Sequence, residues 1–160
     1  MKRVLLMRHA KSDWSNDDLS DHQRPLNNRG KNDAPRMAIE VAERGIFPEL
    51  ILVSDAERTR ETWELIKEYF PTSQTVFIPE LYLASSSEIL RIVSEVDDLV
   101  DNVMIIAHNP GITTAFYDIA KVRIDNVPTS GIGCIKLIAN QFKDILTPGN
   151  ELEYFIYPKM

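Results

Sequence analysis

The stretch Val4-Leu5-Leu6-Met7-Arg8-His9-Ala10-Lys11-Ser12 decides how the rest of the chain is read. An unbroken apolar run that stops at a basic pair is the pattern of a strand buried on both faces, delivering its last residues to a sheet edge. In open α/β sheets, ligands bind beyond that carboxyl edge. Arg8 and His9 suit an anion there, because a guanidinium offers fixed, paired donors and an imidazole can act as a nucleophile. Taken alone, an Arg-His pair is equally a basic strand end. The remaining strands decide between the two.

Working outward, the same pattern recurs. Leu50-Ile51-Leu52-Val53 is a second apolar strand, and Ser54-Asp55-Ala56-Glu57 after it has the Ser-x-x-Glu form of a capping box. Thr75-Val76-Phe77-Ile78 is a third strand, closed by Pro79 and Glu80. Val103-Met104-Ile105-Ile106-Ala107 is a fourth and delivers His108. Helical stripes lie between them. Ala34, Met37, Ala38, Val41 and Ala42 form one that stops at Gly45; Pro35 either kinks that helix or marks its first turn. Thr62, Leu65, Ile66, Tyr69 and Phe70 form the next. Ser85 and Glu88 box the start of a helix carrying Ile89, Leu90, Val93 and Val96. Asn109 and Pro110 open the last, with Ile112, Ala115, Phe116, Ile119 and Ala120 inward. Strands at 133–138 and 153–157 complete the chain. Strands alternating with helices predict an α/β sandwich on a mostly parallel sheet, one domain over residues 1–160.

Composition narrows the class. The 160 residues carry a net charge of −6, which argues against a nucleic-acid partner, so any anion site is a local patch of positive charge in an acidic protein. No apolar run approaches the ~18 residues that cross a bilayer, and the opening Met1-Lys2-Arg3 with its short apolar run does not read as a secretory signal. The lone cysteine, Cys134, allows no internal disulfide; it fits a cytoplasmic setting and reads as core packing.

Four strands thus end in chemically useful residues: Arg8 and His9, then Arg58 one turn into the following helix, then Glu80, then His108. These types suit phosphoryl transfer. Two guanidiniums can hold the equatorial oxygens, one neutral imidazole can attack phosphorus, and the second imidazole, when protonated, can donate to an oxygen. A helix N-terminus at Ser54 or Asn109 would add backbone donors. There is no glycine-rich phosphate loop and no acidic cluster for Mg²⁺, and His9, His22 and His108 do not have the spacing of a metal site. No cofactor is expected. In the polar stretch Asp13 to Arg24, Trp14 is expected to pack the loop down, His22 to be solvated or structural, and Arg24 and Arg29 to tie the loop in place.

The motifs resemble those of the histidine phosphatase superfamily. Arg8-His9-Ala10-Lys11-Ser12-Asp13-Trp14 is similar to its signature in the SixA-like phosphohistidine phosphatase branch. Asp21-His22-Gln23-Arg24-Pro25-Leu26-Asn27-Asn28-Arg29-Gly30, Ser54-Asp55-Ala56-Glu57-Arg58-Thr59-Arg60-Glu61-Thr62 and His108-Asn109-Pro110-Gly111 follow in the family's order. The resemblance implies a three-layer α/β/α, phosphoglycerate mutase-like fold. It also implies a covalent phosphohistidine on His9, with Arg8, Arg58 and His108 completing the phosphate pocket. Ala10 and Lys11, where the wider superfamily has Gly and Glu or Gln, are typical of the branch. Lys11 and Ser12 are candidate pocket residues. Ser15, with Asn16 beside it, stands where mutase-like members contact phosphate. Glu80 falls near the usual general acid, without the surrounding mutase motif. The expected substrate is a phosphohistidine on a protein, or a small phosphomonoester. The alternatives are a general phosphomonoesterase and a catalytically idle phosphate-binding adaptor.

Overall fold

Each apolar run becomes a strand of one six-stranded sheet in the structure, a computed structural model that describes residues 1–158. The strands are β1 (Arg3–Arg8), β2 (Leu50–Ser54), β3 (Gln74–Ile78), β4 (Asn102–Ala107), β5 (Ile132–Lys136) and β6 (Glu151–Ile156). The helices are α1 (Asn28–Glu43), α2 (Glu57–Ile66), α3 (Ser86–Ser94) and α4 (Gly111–Ala120). The sheet order is β3-β2-β4-β1-β5-β6, parallel from β3 to β1 and antiparallel for β5 and β6.

The alternation of side chains along each strand splits the core in two. Leu5, Met7, Ile51, Val53, Met104 and Ile106 point to the face covered by α1 and α2. Val4, Leu6, Leu52, Val103, Ile105 and Ala107 point to the face covered by α3 and α4. Both faces being covered explains why the parallel strands read as continuous apolar runs rather than alternating ones. The result is the expected α/β/α sandwich, the phosphoglycerate mutase-like fold. No helix of the described residues is long and apolar enough to cross a membrane.

Local details settle or correct the sequence reading; α4, for one, begins at Gly111, with Pro110 at its N-cap rather than its first position. Pro35 lies well inside α1, whose first turn is capped instead by Asn27, its side chain accepting from the Gly30 N–H at 2.8 Å. Ser54 does not box α2, which begins after Ala56 with no side-chain cap. Its hydroxyl is committed to the site described below. The Ser85 box is present in part, the hydroxyl accepting from the Glu88 N–H. Cys134 is buried in the core.

Candidate active site

The pairing of β1 with β4 places the two histidines side by side. Arg8 is in register with Ala107, so His9 and His108 leave adjacent parallel strands at the same level. Their ring centroids are 5.3 Å apart, and both residues are almost fully buried. The His9 ring is fixed by its Nδ1, which lies 2.7 Å from the Ala10 carbonyl oxygen. A carbonyl only accepts, so Nδ1 carries the proton and Nε2 carries the lone pair. Behind it, the Ala10 N–H donates to Thr62 Oγ1, and the Thr62 hydroxyl donates to the Arg58 carbonyl, locking the strand end to α2.

Arg58 crosses from the first turn of α2 and donates from Nε to that same His9 Nε2 at 3.3 Å. Its remaining nitrogens donate to Asp21, to the backbone oxygen at 2.8 Å and to the carboxylate at 3.1 Å. Arg8 donates from Nη1 to the Val127 carbonyl at 3.0 Å. His108 Nε2 bonds to the Ser54 hydroxyl at 2.7 Å. Arg8 Nε, Ser12 Oγ and His108 Nδ1 are buried polar atoms with no partner among the described residues. Buried groups of this kind are rarely left unpaired without a functional reason. Here all three belong to residues lining one cavity of about 170 Å³, together with His9, Lys11, Trp14, Asp21, Arg58, Leu83, Asn109 and Thr129.

The electrostatics favour a neutral nucleophile. Burial, and then the Arg58 and Arg8 guanidiniums, push the pKa of His9 down to about 3. Burial, the neighbouring His9 and Arg58 do the same to His108, also to about 3. His108 is thus disfavoured as a cation in the free pocket, and the condition set for its donating role, protonation, depends on what the pocket holds. Asp21 shifts the other way from what burial alone would do: burial raises its pKa, but hydrogen bonds from Tyr82 and Arg58 hold it below the usual carboxylate value.

The structure brings Arg8, His9, Lys11, Ser12, Arg58 and His108 together in one cavity. It does not bring Glu80 or Ser15. Glu80 is exposed and lines a different groove with Ile78, Arg91 and Glu95. The turn after β3 does reach the site, but through Tyr82 and Leu83, while Glu80 in the same turn lies outside the cavity. Ser15 is exposed outside the cavity, its N–H turned onto Asp13, and Asn16 caps the Asp18 N–H in the same loop. Trp14 packs within its own loop, against Arg24, yet stays largely open to solvent. It is 60% exposed at the cavity mouth, with the Arg24 guanidinium 4.0 Å from its ring centroid. His22 is structural, bonded to Asp55 and edge-on to Tyr82. Arg29 pairs with Asp33 inside α1.

Sequence reasoning missed Asp21, Leu83 and Thr129. Asp21 lies in the quoted loop motif, but only the 3-10 turn Asp21–Gln23 shows that it meets Arg58. Thr129 lies on the connection to β5, whose sequence carries no pattern that singles it out.

A pocket of arginines and histidines at the carboxyl edge of a parallel sheet, with an imidazole lone pair at its centre, is a site suited to a phosphate-like anion. The comparisons agree. Residues 4–81 match the model of the histidine phosphatase superfamily (branch 1). A SixA protein from Agrobacterium tumefaciens, assigned as a phosphohistidine phosphatase, superposes with a TM-score of 0.86 at 29% identity, covering 98% of each chain. The protein histidine phosphatase SixA complexed with tungstate shares the fold, with a TM-score of 0.77 at 21% identity over 98% of this chain and 97% of that one. An uncharacterised chloroplastic protein from Arabidopsis thaliana is 34% identical over 120 residues; these make up 69% of this chain but only 55% of that relative's length. The chain belongs to the histidine phosphatase superfamily, in its SixA-like branch.

Proposed function

We propose that this phosphatase removes the phosphoryl group from phosphohistidine side chains of proteins, through a covalent phosphohistidine on His9. The observation that carries the reading is the His9 tautomer: Nδ1 tied to the Ala10 carbonyl, Nε2 unprotonated among Arg8, Arg58 and His108. In the first step Nε2 attacks phosphorus. The substrate P–N bond breaks, and its electron pair goes to the leaving imidazole, which takes a proton from solvent. Arg58 Nε–H, which rests on Nε2 in the free pocket, turns to a phosphoryl oxygen, and the unpartnered Arg8 Nε and Ser12 Oγ donate to others. The dianion brings negative charge to His108, which favours its protonation at Nδ1.

In the second step water attacks phosphorus, the P–Nε2 bond breaks, and its pair returns to His9. Asp21 is the one carboxylate among the cavity-lining residues described. Held ionised by Tyr82 and Arg58, it is the group suited to accept the water proton and pass it to solvent. The Ala10 carbonyl stabilises the imidazolium that exists between the steps. Expelling an alkoxide needs a positioned acid, worth ~10² to 10⁴ in rate, whereas a labile P–N bond needs far less help. A site with strong phosphate ligands and an ionised carboxylate therefore favours phosphohistidine.

The test is a substrate panel. Rates should fall in the order phosphohistidine protein, aryl phosphate, alkyl phosphate. A sugar phosphate or phosphoglycerate as the fastest substrate would replace the reading with a general phosphomonoesterase; binding of phosphate with no turnover on any substrate would make the chain an adaptor.

A further inference from the structure

The cavity is smaller than its substrate. Pockets that enclose a whole small molecule run from ~300 to 1,000 Å³, whereas this one has about 170 Å³. It takes the phosphoryl group, and the leaving group must stand at the mouth. Two large apolar side chains are held exposed there, on separate elements: Trp14 at 60% and Leu83 at 55%.

Neither is loose. Trp14 sits just beyond the neck of the 12–26 loop, which is closed by the Ser12–Leu26 bridge and by the Asp13 N–H donating to the Pro25 carbonyl at 2.8 Å. One indole face is occupied by the Arg24 guanidinium, whose Nε and Nη1 are buried without a partner. With the residue 60% exposed, the other face is open. Leu83 has φ of 51°, a left-handed conformation that costs a non-glycine residue energy and is found where the surroundings impose it. Its neighbour Tyr82 is anchored, the hydroxyl donating to Asp21 and the ring standing edge-on to both His22 and His108. Leu83 thus follows directly on a residue tied to the site.

We infer that Trp14 and Leu83 form a clamp for the flat leaving group, the indole stacking on the substrate's imidazole ring and Leu83 closing its other side. This deepens the proposed function and rests on it. The chemistry matches: the pair from the P–N bond and one proton leave a flat, neutral imidazole, and an aromatic ring of this kind stacks on an indole face. The phosphate ligands would then be indifferent to the leaving group, and the clamp would read it.

Phosphoramidate isolates the effect, since it has the same P–N bond and no ring. The measured quantity is the ratio of kcat/KM for a phosphohistidine protein to that for phosphoramidate. Trp14→Ala should lower this ratio about 3- to 10-fold, the range of a single aromatic contact. Leu83→Ala should lower it less, and Trp14→Phe should restore most of it. An unchanged ratio overturns the clamp, whether both rates hold or both fall together, the latter marking Trp14 as a loop-positioning residue. A wild type that cleaves neither P–N substrate sinks the parent reading instead. The clamp is then judged by the same ratio for phenyl against methyl phosphate, where no change on Trp14→Ala refutes it.

Discussion

The two buried histidines should make the fold acid-sensitive by a calculable amount. His9 and His108 have pKa values near 3 in the folded protein against an ordinary 6.5. Below 6.5 the unfolded chain takes up protons that the folded chain refuses until about pH 3. Stability from this source is therefore fully present above 6.5 and is lost as the pH falls through that window. Between about pH 7.5 and pH 5.5 each histidine should cost ~1.4 kcal/mol, or ~3 kcal/mol for the pair. The assay is urea unfolding across that range, with His9→Asn as the comparison. Carboxylates contribute equally to both proteins and cancel, so the variant should lose at least ~1 kcal/mol less than the wild type. Removing His9 also lifts one cause of the His108 shift, which moves the difference in the same direction. Identical pH profiles for the two proteins would refute the claim that His9 is held neutral by burial and its arginine neighbours.

Three further outcomes follow from the site. Arg58→Ala should cost about 2–3 kcal/mol of transition-state stabilisation in kcat/KM, and Arg58→Lys should recover little, because a point charge cannot reach His9 and phosphate as a planar fork does. Glu80→Gln should leave every substrate within about twofold of wild type, whereas Asp21→Asn should slow phosphoenzyme hydrolysis by ~10²-fold or more, read by single-turnover kinetics. Activity should survive exhaustive chelation and be blocked by vanadate; loss in chelator that added Mg²⁺ or Zn²⁺ restores would overturn the arginine-based account of charge stabilisation.

Much of the fold is legible because parallel strands covered on both faces must be apolar throughout, and Val4–Met7, Leu50–Val53 and Val103–Ala107 are. The same runs place Arg8, His9 and His108 at one edge. What the runs do not encode is which residue of a strand-end turn faces the site. Glu80 also follows a strand, yet in the turn after β3 it is Tyr82 and Leu83 that reach the site while Glu80 stays exposed in another groove. Ser54 shows a second limit. It has the capping-box pattern, but α2 begins at Glu57, past the box, and the hydroxyl instead bonds the imidazole of His108. Asp21 and Trp14 show a third. They belong to a polar loop with no periodicity, and their positions depend on contacts with Arg58, Tyr82 and Arg24 that arise only when the loop closes on α2 and the turn after β3.

The account stands or falls on a covalent bond to His9. Brief exposure of the protein to a labelled phosphohistidine donor, followed by rapid denaturation, should trap acid-labile, base-stable phosphate, and peptide mapping should place it on His9. His9→Ala should abolish both the label and turnover, while His22→Ala retains them. Wild-type turnover by His9→Ala, or label on another residue that survives the substitution, would contradict it.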